Sequence, residues 1–281
     1  MLGAVAYDPK VVAIWDGFRA WLEPRGCLIE PVLFHNYERQ VEALVRGVID
    51  VAWHSPLAWV QTRRICAAKG RKPLGFCMRD TDQDLTSVLM VRSAGEVRTL
   101  VDLRGKRVAV GAIDSPQATL IPLGQLAEHG LVAGVDFEVV PFDVLPGKHG
   151  DHIGGERDAA RALVRGEVDA AAILDTNRIG FARDGTLPSE DARLLLRTEP
   201  FDHCVFAAIE GVKSQEVARF SALLLGMSWE NPDVRPLLEM EGLRAWRPGR
   251  VDRFTQLEAA VDVLAFVGAA RVRDFVDQQI A

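Results

Sequence analysis

Ten residues early in the chain return near its middle: Ala43-Leu44-Val45-Arg46-Gly47-Val48-Ile49-Asp50-Val51-Ala52 and Ala162-Leu163-Val164-Arg165-Gly166-Glu167-Val168-Asp169-Ala170-Ala171 agree at seven of ten positions. Each copy reads as the end of a helix, a glycine stop and a short apolar strand that carries an early Asp. Solenoids need several stacked repeats to bury a continuous core, and two copies in 281 residues are too few. The pattern therefore predicts two similar lobes, each built around one helix-turn-strand unit.

The rest of the chain alternates helix and strand signals. Apolar positions at Val11, Val12, Ile14, Trp15, Phe18, Trp21 and Leu22 form a helical stripe. Leu85 to Val91 reads as a buried strand, Gly105 to Gly111 as another, and Ile121 to His129 as a helix closed by Gly130. Val205 to Ile209 is again strand-like, and Gln215 to Met227 has helical spacing. This alternation places the chain in the α/β class.

Charge and cysteine usage narrow the function. The formal net charge of −6 opposes binding to nucleic acid or an acidic membrane surface, so an anionic ligand has to be held by local groups. Cys27, Cys66, Cys77 and Cys204 form no C-x-x-C pair, which points to free thiols rather than a zinc ribbon or redox motif. No apolar run reaches membrane-span length. Met1 leads directly into the strand-like Leu2 to Ala6, leaving no room for a signal peptide. The expectation is a cytoplasmic protein as the sequence stands, or a periplasmic one if a leader has been removed.

Several segments, taken in order and spacing, resemble the phosphate/phosphonate-binding proteins of ABC transporters over most of the chain. They are Tyr7-Asp8-Pro9-Lys10, Asn36-Tyr37-Glu38-Arg39-Gln40, Ile49 to Trp59, Leu103 to Val110, Asp114-Ser115-Pro116-Gln117-Ala118-Thr119 with Pro122, and Gly166 to Ala171. The resemblance implies a two-lobed periplasmic-binding-protein-like fold of type 2, each lobe a mixed sheet flanked by helices, with two crossing strands as hinge and the ligand in the cleft. The boundaries it suggests are 1–86 for the first part of lobe 1, 87–206 for lobe 2 and 207–281 for the return to lobe 1. A small-molecule anionic ligand and an ABC transporter permease are the implied partners. The expected protein is a monomer without a cofactor or bound metal.

Candidate ligand residues sit where strands end and helices begin. Ser115 and Thr119, with Asp114, can cradle an oxyanion, and the same residues can cap a helix with Pro116 in its first turn. Relatives that hold phosphonates carry small hydroxyl residues and a glycine at this helix start. Here Pro116, Gln117 and Ala118 occupy that stretch, which widens the expected ligand to other small oxyanions. His54 and Ser55 follow the first repeat's strand and Asp175 follows the second, where it would accept a hydrogen bond from a protonated ligand. Tyr7 ends the first strand and can donate its phenol. Lys148, His149 and His152 lie on a glycine-rich segment, and His203 stands beside Cys204 before the second crossing strand. Trp53, Trp59 and Trp246 are read as core, and the basic run from Arg244 to Arg250 as a solvated turn.

Two function classes remain at this point. The first is a binding protein that closes on a small polar anion, phosphate-like, phosphonate-like or another small oxyanion, for transport or sensing. The alternative is a lyase or decarboxylase on the same scaffold, with His149, His152, His203, Cys204 and Asp175 as its acid, base or nucleophile. No P-loop, dinucleotide fingerprint or ordered Ser-His-Asp set is present.

Overall fold

The computed structural model describes residues 1–150 and 154–281. The chain groups into two compact units, one formed by Met1–Gln83, Asp202–Arg253 and Phe275–Ala281, the other by Asp84–Phe201 and Phe254–Asp274.

The first unit contains strands β1 (Leu2–Val5), β2 (Pro31–Phe34), β3 (Val51–His54) and β4 (Pro73–Arg79), with helices α1 (Lys10–Leu22), α2 (Tyr37–Val45) and α3 (Pro56–Ala68). The second contains β5 (Ser87–Arg92), β6 (Arg107–Val110), β7 (Glu138–Pro141), β8 (Ala170–Leu174) and β9 (Ala192–Arg197), with α4 (Ile121–Glu128), α5 (Gly154–Val164) and α6 (Asp175–Arg183). The chain then returns to the first unit with β10 (Val205–Ile209), α7 (Ser214–Leu225), α8 (Arg235–Glu241) and β11 (Trp246–Pro248). It ends with α9 (Thr255–Val263) and α10 (Val267–Ile280).

The two sheets repeat one plan. Their orders are β2-β1-β3-β10-β4-β11 and β7-β6-β8-β5-β9. In each, three parallel strands on one side meet an antiparallel strand from elsewhere in the chain, β10 beside β3 and β5 beside β8. The sequence repeat falls on equivalent positions, α2 with β3 and α5 with β8. Both helices close in the same way. Gly47 and Gly166 each take φ of 73°; their N–H groups reach Leu44 and Leu163, and the next residues bond back to Ala43 and Ala162. This is a Schellman closure, which needs left-handed backbone that glycine adopts without a Cβ clash.

The first unit's core gathers Phe18, Trp53, Phe206 and Trp246, with Trp53 and Trp246 edge to face at 5.7 Å. Trp59 is also buried, so all three tryptophans expected in the core belong to the interior. Trp246 enters it because residues 246–248 form an edge strand on β4 instead of the expected turn. The four cysteines are buried thiols, and burial pushes that of Cys77 up to about 12.

The boundaries differ from the sequence reading at the end of the chain. Residues 254–274 belong to the second unit, where α9 packs on α4: a Cβ at Gly124 would stand 2.7 Å from that of Ala260. Phe254, Leu257, Ala260 and Val261 are buried there, so the return segment of the first unit stops at Arg253 before residuming only at Phe275.

Candidate anion site in the second unit

β6, β7 and β8 are parallel, so their carboxyl ends lie together and the loops that follow them share one edge of the sheet. After β6 the chain turns at Gly111, whose N–H donates to the Ala118 carbonyl at 3.1 Å. Ser115 then caps a π-helical turn, Pro116–Leu120, that runs into α4; its Oγ accepts the Ala118 N–H at 3.1 Å, with Pro116 in the first turn. Capping and a helix start that favours negative charge thus coincide in one residue. Thr119 is fully buried and donates to the Ala112 carbonyl at 2.7 Å. Its hydroxyl, expected to meet a ligand, here closes the loop.

The glycine-rich segment folds onto this helix start. Asp114 accepts the N–H of Gly147, Asp143 accepts that of Ile113 at 3.2 Å, and the Gln117 side-chain amide donates to the Gly150 carbonyl at 2.8 Å. Gly150 has φ of 72°, and a Cβ there would lie 2.3 Å from Ser115 Oγ, so only glycine permits this approach. His149 is fully buried and Lys148 half-buried beside it. His152 lies outside the described residues.

Asp175 follows β8 and opens α6. Its N–H donates to the Thr86 carbonyl at 2.9 Å, and the neighbouring Ser87 hydroxyl donates to the Gln117 carbonyl at 2.6 Å, which links this strand end to the capped helix. Both Asp175 oxygens are engaged, Oδ1 by Arg178 Nε at 2.6 Å and Oδ2 by Arg197, which also donates to Thr86 Oγ1 at 3.1 Å. Burial alone would raise its pKa, but hydrogen bonds and charge from Arg178 and Arg197 outweigh that and hold the carboxyl below its ordinary value. The expected open acceptor for a ligand proton is instead an ion pair. Glu156, deeply buried, accepts the Leu174 N–H at 2.9 Å and the Asn177 amide at 3.0 Å. Glu156, Arg178, Arg197 and Ser87 were not singled out from sequence. The position of Arg178 one helical turn after Asp175 was the only available signal.

In the first unit, Tyr7, His54 and Ser55 stand at the equivalent carboxyl ends of β1 and β3. Ser55 is fully buried and caps α3 through the Ala58 N–H at 3.2 Å. Tyr7 is half-buried against the core, with Lys10 Nζ 5.8 Å from its ring centre. His54 is fully buried; Nδ1 meets Gln40 Oε1 and Nε2 meets Thr62 Oγ1, both at 2.9 Å. Because Gln40 Nε2 donates to the Gly3 and Trp53 carbonyls, its Oε1 must accept, so His54 carries its proton on Nδ1. His54, expected as a ligand contact, is here buried with both ring nitrogens engaged by the protein.

Asp82, His203 and Cys204 bring three ligand-type atoms within 4.8 Å of one another. Arg79 occupies both Asp82 oxygens, at 2.6 and 2.8 Å, and also reaches Glu241. A guanidinium therefore supplies the positive charge that a metal ion would otherwise bring. His203 Nδ1 lies 3.1 Å from Cys204 Sγ and 3.5 Å from Asp82.

A family model described as the periplasmic substrate-binding protein of phosphonate ABC transporters matches residues 4–254. The chain is similar to the phosphate-import protein PhnD of Mycolicibacterium smegmatis, at 27% identity over 170 residues, covering 58% of this chain and 50% of that protein. The match thus spans half the length of this curated relative. Among solved structures, PhnD1 of Prochlorococcus marinus in complex with methylphosphonate aligns with a TM-score of 0.65 at 16% identity, covering 93% of this chain and 96% of that one. XAC2383 of Xanthomonas citri bound to ATP aligns at 0.69 and 18% identity, covering 98% of each chain. These likenesses show the fold, a type 2 periplasmic binding protein. No helix among the described residues is long and apolar enough to cross a membrane.

Proposed function

The chain belongs to the periplasmic substrate-binding proteins of phosphonate ABC transporters, and from that premise we propose that it binds a small tetrahedral oxyanion of the phosphate and phosphonate class. Family membership makes it a solute-binding protein with a small-molecule ligand and a transporter as partner. The finer reading is that it works as a monomer in the periplasm and hands the anion to a permease.

One observation carries the choice of ligand: the carboxyl ends of β6 and β8 and the Ser115-capped helix start converge with the 143–150 loop in the second unit. Peptide N–H groups and the helix dipole at such an edge favour a compact negative charge without requiring a positive protein surface. A net charge of −6 makes this local source of attraction necessary. The curated relative at 27% identity is a phosphate importer, which supports the same class.

Isothermal calorimetry with inorganic phosphate, methylphosphonate and methanesulfonate tests the reading. We expect saturable heat with phosphate or methylphosphonate. Ser115→Ala should weaken it by roughly ten- to a hundredfold, the usual cost of losing a hydrogen bond to a charged group. Absence of heat with all three anions would sink the assignment, and conversion of the anion to a product, followed by mass, would favour the lyase or decarboxylase alternative.

A further inference from the structure

Asp175, Arg178 and Arg197 form one charged group at the carboxyl end of β8. We infer that these arginines, clamping Asp175 from both sides, make the site selective for oxyanions without an ammonium group. This deepens the oxyanion reading and rests on it.

A carboxylate at the end of a central strand would normally offer acceptor oxygens to a ligand's positive end. At Asp175 one oxygen belongs to Arg178 and the other to Arg197, anchored in turn through Thr86. The three side chains together carry a charge of about +1. A guanidinium has five N–H donors in a planar fork, and Asp175 and Thr86 take only one or two from each. The group as a whole is therefore cationic and donor-rich.

Among the described residues, the other carboxylates at this edge are each tied to the protein: Asp114 Oδ2 receives the Gly147 N–H, Asp143 Oδ1 receives the Ile113 N–H, and Glu156 is buried with Oε2 shared between the Leu174 N–H and the Asn177 amide. Lys148, half-buried on the adjoining loop, adds positive charge. The proximity to the capped helix is direct: Asp175 N–H bonds Thr86, and Ser87 bonds Gln117. A zwitterion would bring its ammonium against two guanidiniums, whereas a plain alkyl oxyanion carries no charge that they oppose.

Two ligands of nearly identical shape separate these cases: n-propylphosphonate and 2-aminoethylphosphonate, which exchange a methyl for an ammonium. Calorimetry on the full chain should show n-propylphosphonate binding at least tenfold more tightly. In the double variant Arg178→Gln/Arg197→Gln, whose melting is checked because it leaves the largely buried Asp175 without its two arginines, n-propylphosphonate should weaken by tenfold or more. The aminoethyl ligand should strengthen as Asp175 becomes available. Asp175→Asn should keep the wild-type preference.

A wild-type preference for 2-aminoethylphosphonate, or a double variant that melts normally yet keeps the wild-type ratio, would overturn the inference while leaving the oxyanion reading intact. Failure of the wild type to bind either ligand, phosphate or methanesulfonate would instead remove the oxyanion reading and this inference with it.

Discussion

At the residue scale, buried polar groups separate by the partners they meet. His54 closes a chain of hydrogen bonds from the β1 backbone through Gln40 to Thr62. Replacing it with Leu strands the Gln40 oxygen and the Thr62 hydroxyl in the core, at about 1–3 kcal/mol per unsatisfied group. Chemical denaturation of His54→Leu should report that loss, with anion affinity unchanged; a large fall in affinity at normal stability would return His54 to the ligand set. Asp82 is the electrostatic counterpart. Burial would raise its pKa, yet the Arg79 charge and hydrogen bonds bring it from 3.8 to about 2. Because the folded value is depressed, its stabilisation is present above about pH 4 and is lost as pH falls toward 2. Asp82→Asn should therefore destabilise the protein by about 3 kcal/mol or more at neutral pH by leaving Arg79 with Glu241 alone. The deficit relative to wild type should shrink in acid, and an unchanged pH profile of melting would contradict this. Sequence could mark His54 and Asp175 as strand-end residues but not their engagement, because Gln40, Thr62 and Arg197 are distant in the chain and meet them only through folding.

At the element scale, the recurring helix-turn-strand was legible because its information is local: apolar spacing, a glycine stop and an early Asp. The two Asp residues do related work at their strand starts, Asp50 holding Lys213 and Asp169 accepting the Arg107 N–H. The 143–150 loop was legible as an oddity and no further, since its course depends on bonds to a helix start some thirty residues away. Glycines separate the two situations. A Cβ at Gly47 meets nothing within 4 Å, so Gly47→Ala should cost only the left-handed backbone strain, roughly 1 kcal/mol, and leave binding intact. At Gly150 the same change adds a collision with Ser115 at 2.3 Å. Gly150→Ala should consequently displace the loop and weaken anion binding by tenfold or more, as read by calorimetry. Equal behaviour of the two variants would mean that the loop does not depend on its approach to Ser115. β11 escaped detection for a related reason: Pro248 and three arginines look like a turn until β4 supplies the edge on which Trp246 enters the core.

At the scale of the whole molecule, each unit is assembled from separated pieces of chain, and the last piece of the second unit was hidden from sequence. A helical pattern near a chain end does not state which sheet it covers, and α9 is placed by the fit of Gly124 against Ala260. The same region buries Phe254, Leu257, Val261 and Leu264. At about 1.5–3 kcal/mol for each large apolar side chain, an upper estimate, removing them takes away about as much free energy as a domain usually has to spare. Ending the chain after Arg253 should therefore unfold the second unit selectively. Hydrogen exchange would show protection lost in β6, β8 and α4 while β1, β3 and β10 retain it, and anion binding would disappear. Ending it after Asp274 keeps all four side chains and removes only Phe275–Ala281 from the first unit, so protection in β6 and β8 should persist. If truncation at Arg253 instead spared β6 and β8 and exposed β1 and β3, the terminal segment would belong with the first unit, as a division at residues 206 and 207 requires, and the packing of α9 on α4 would not be what stabilises the sheet that carries the anion site.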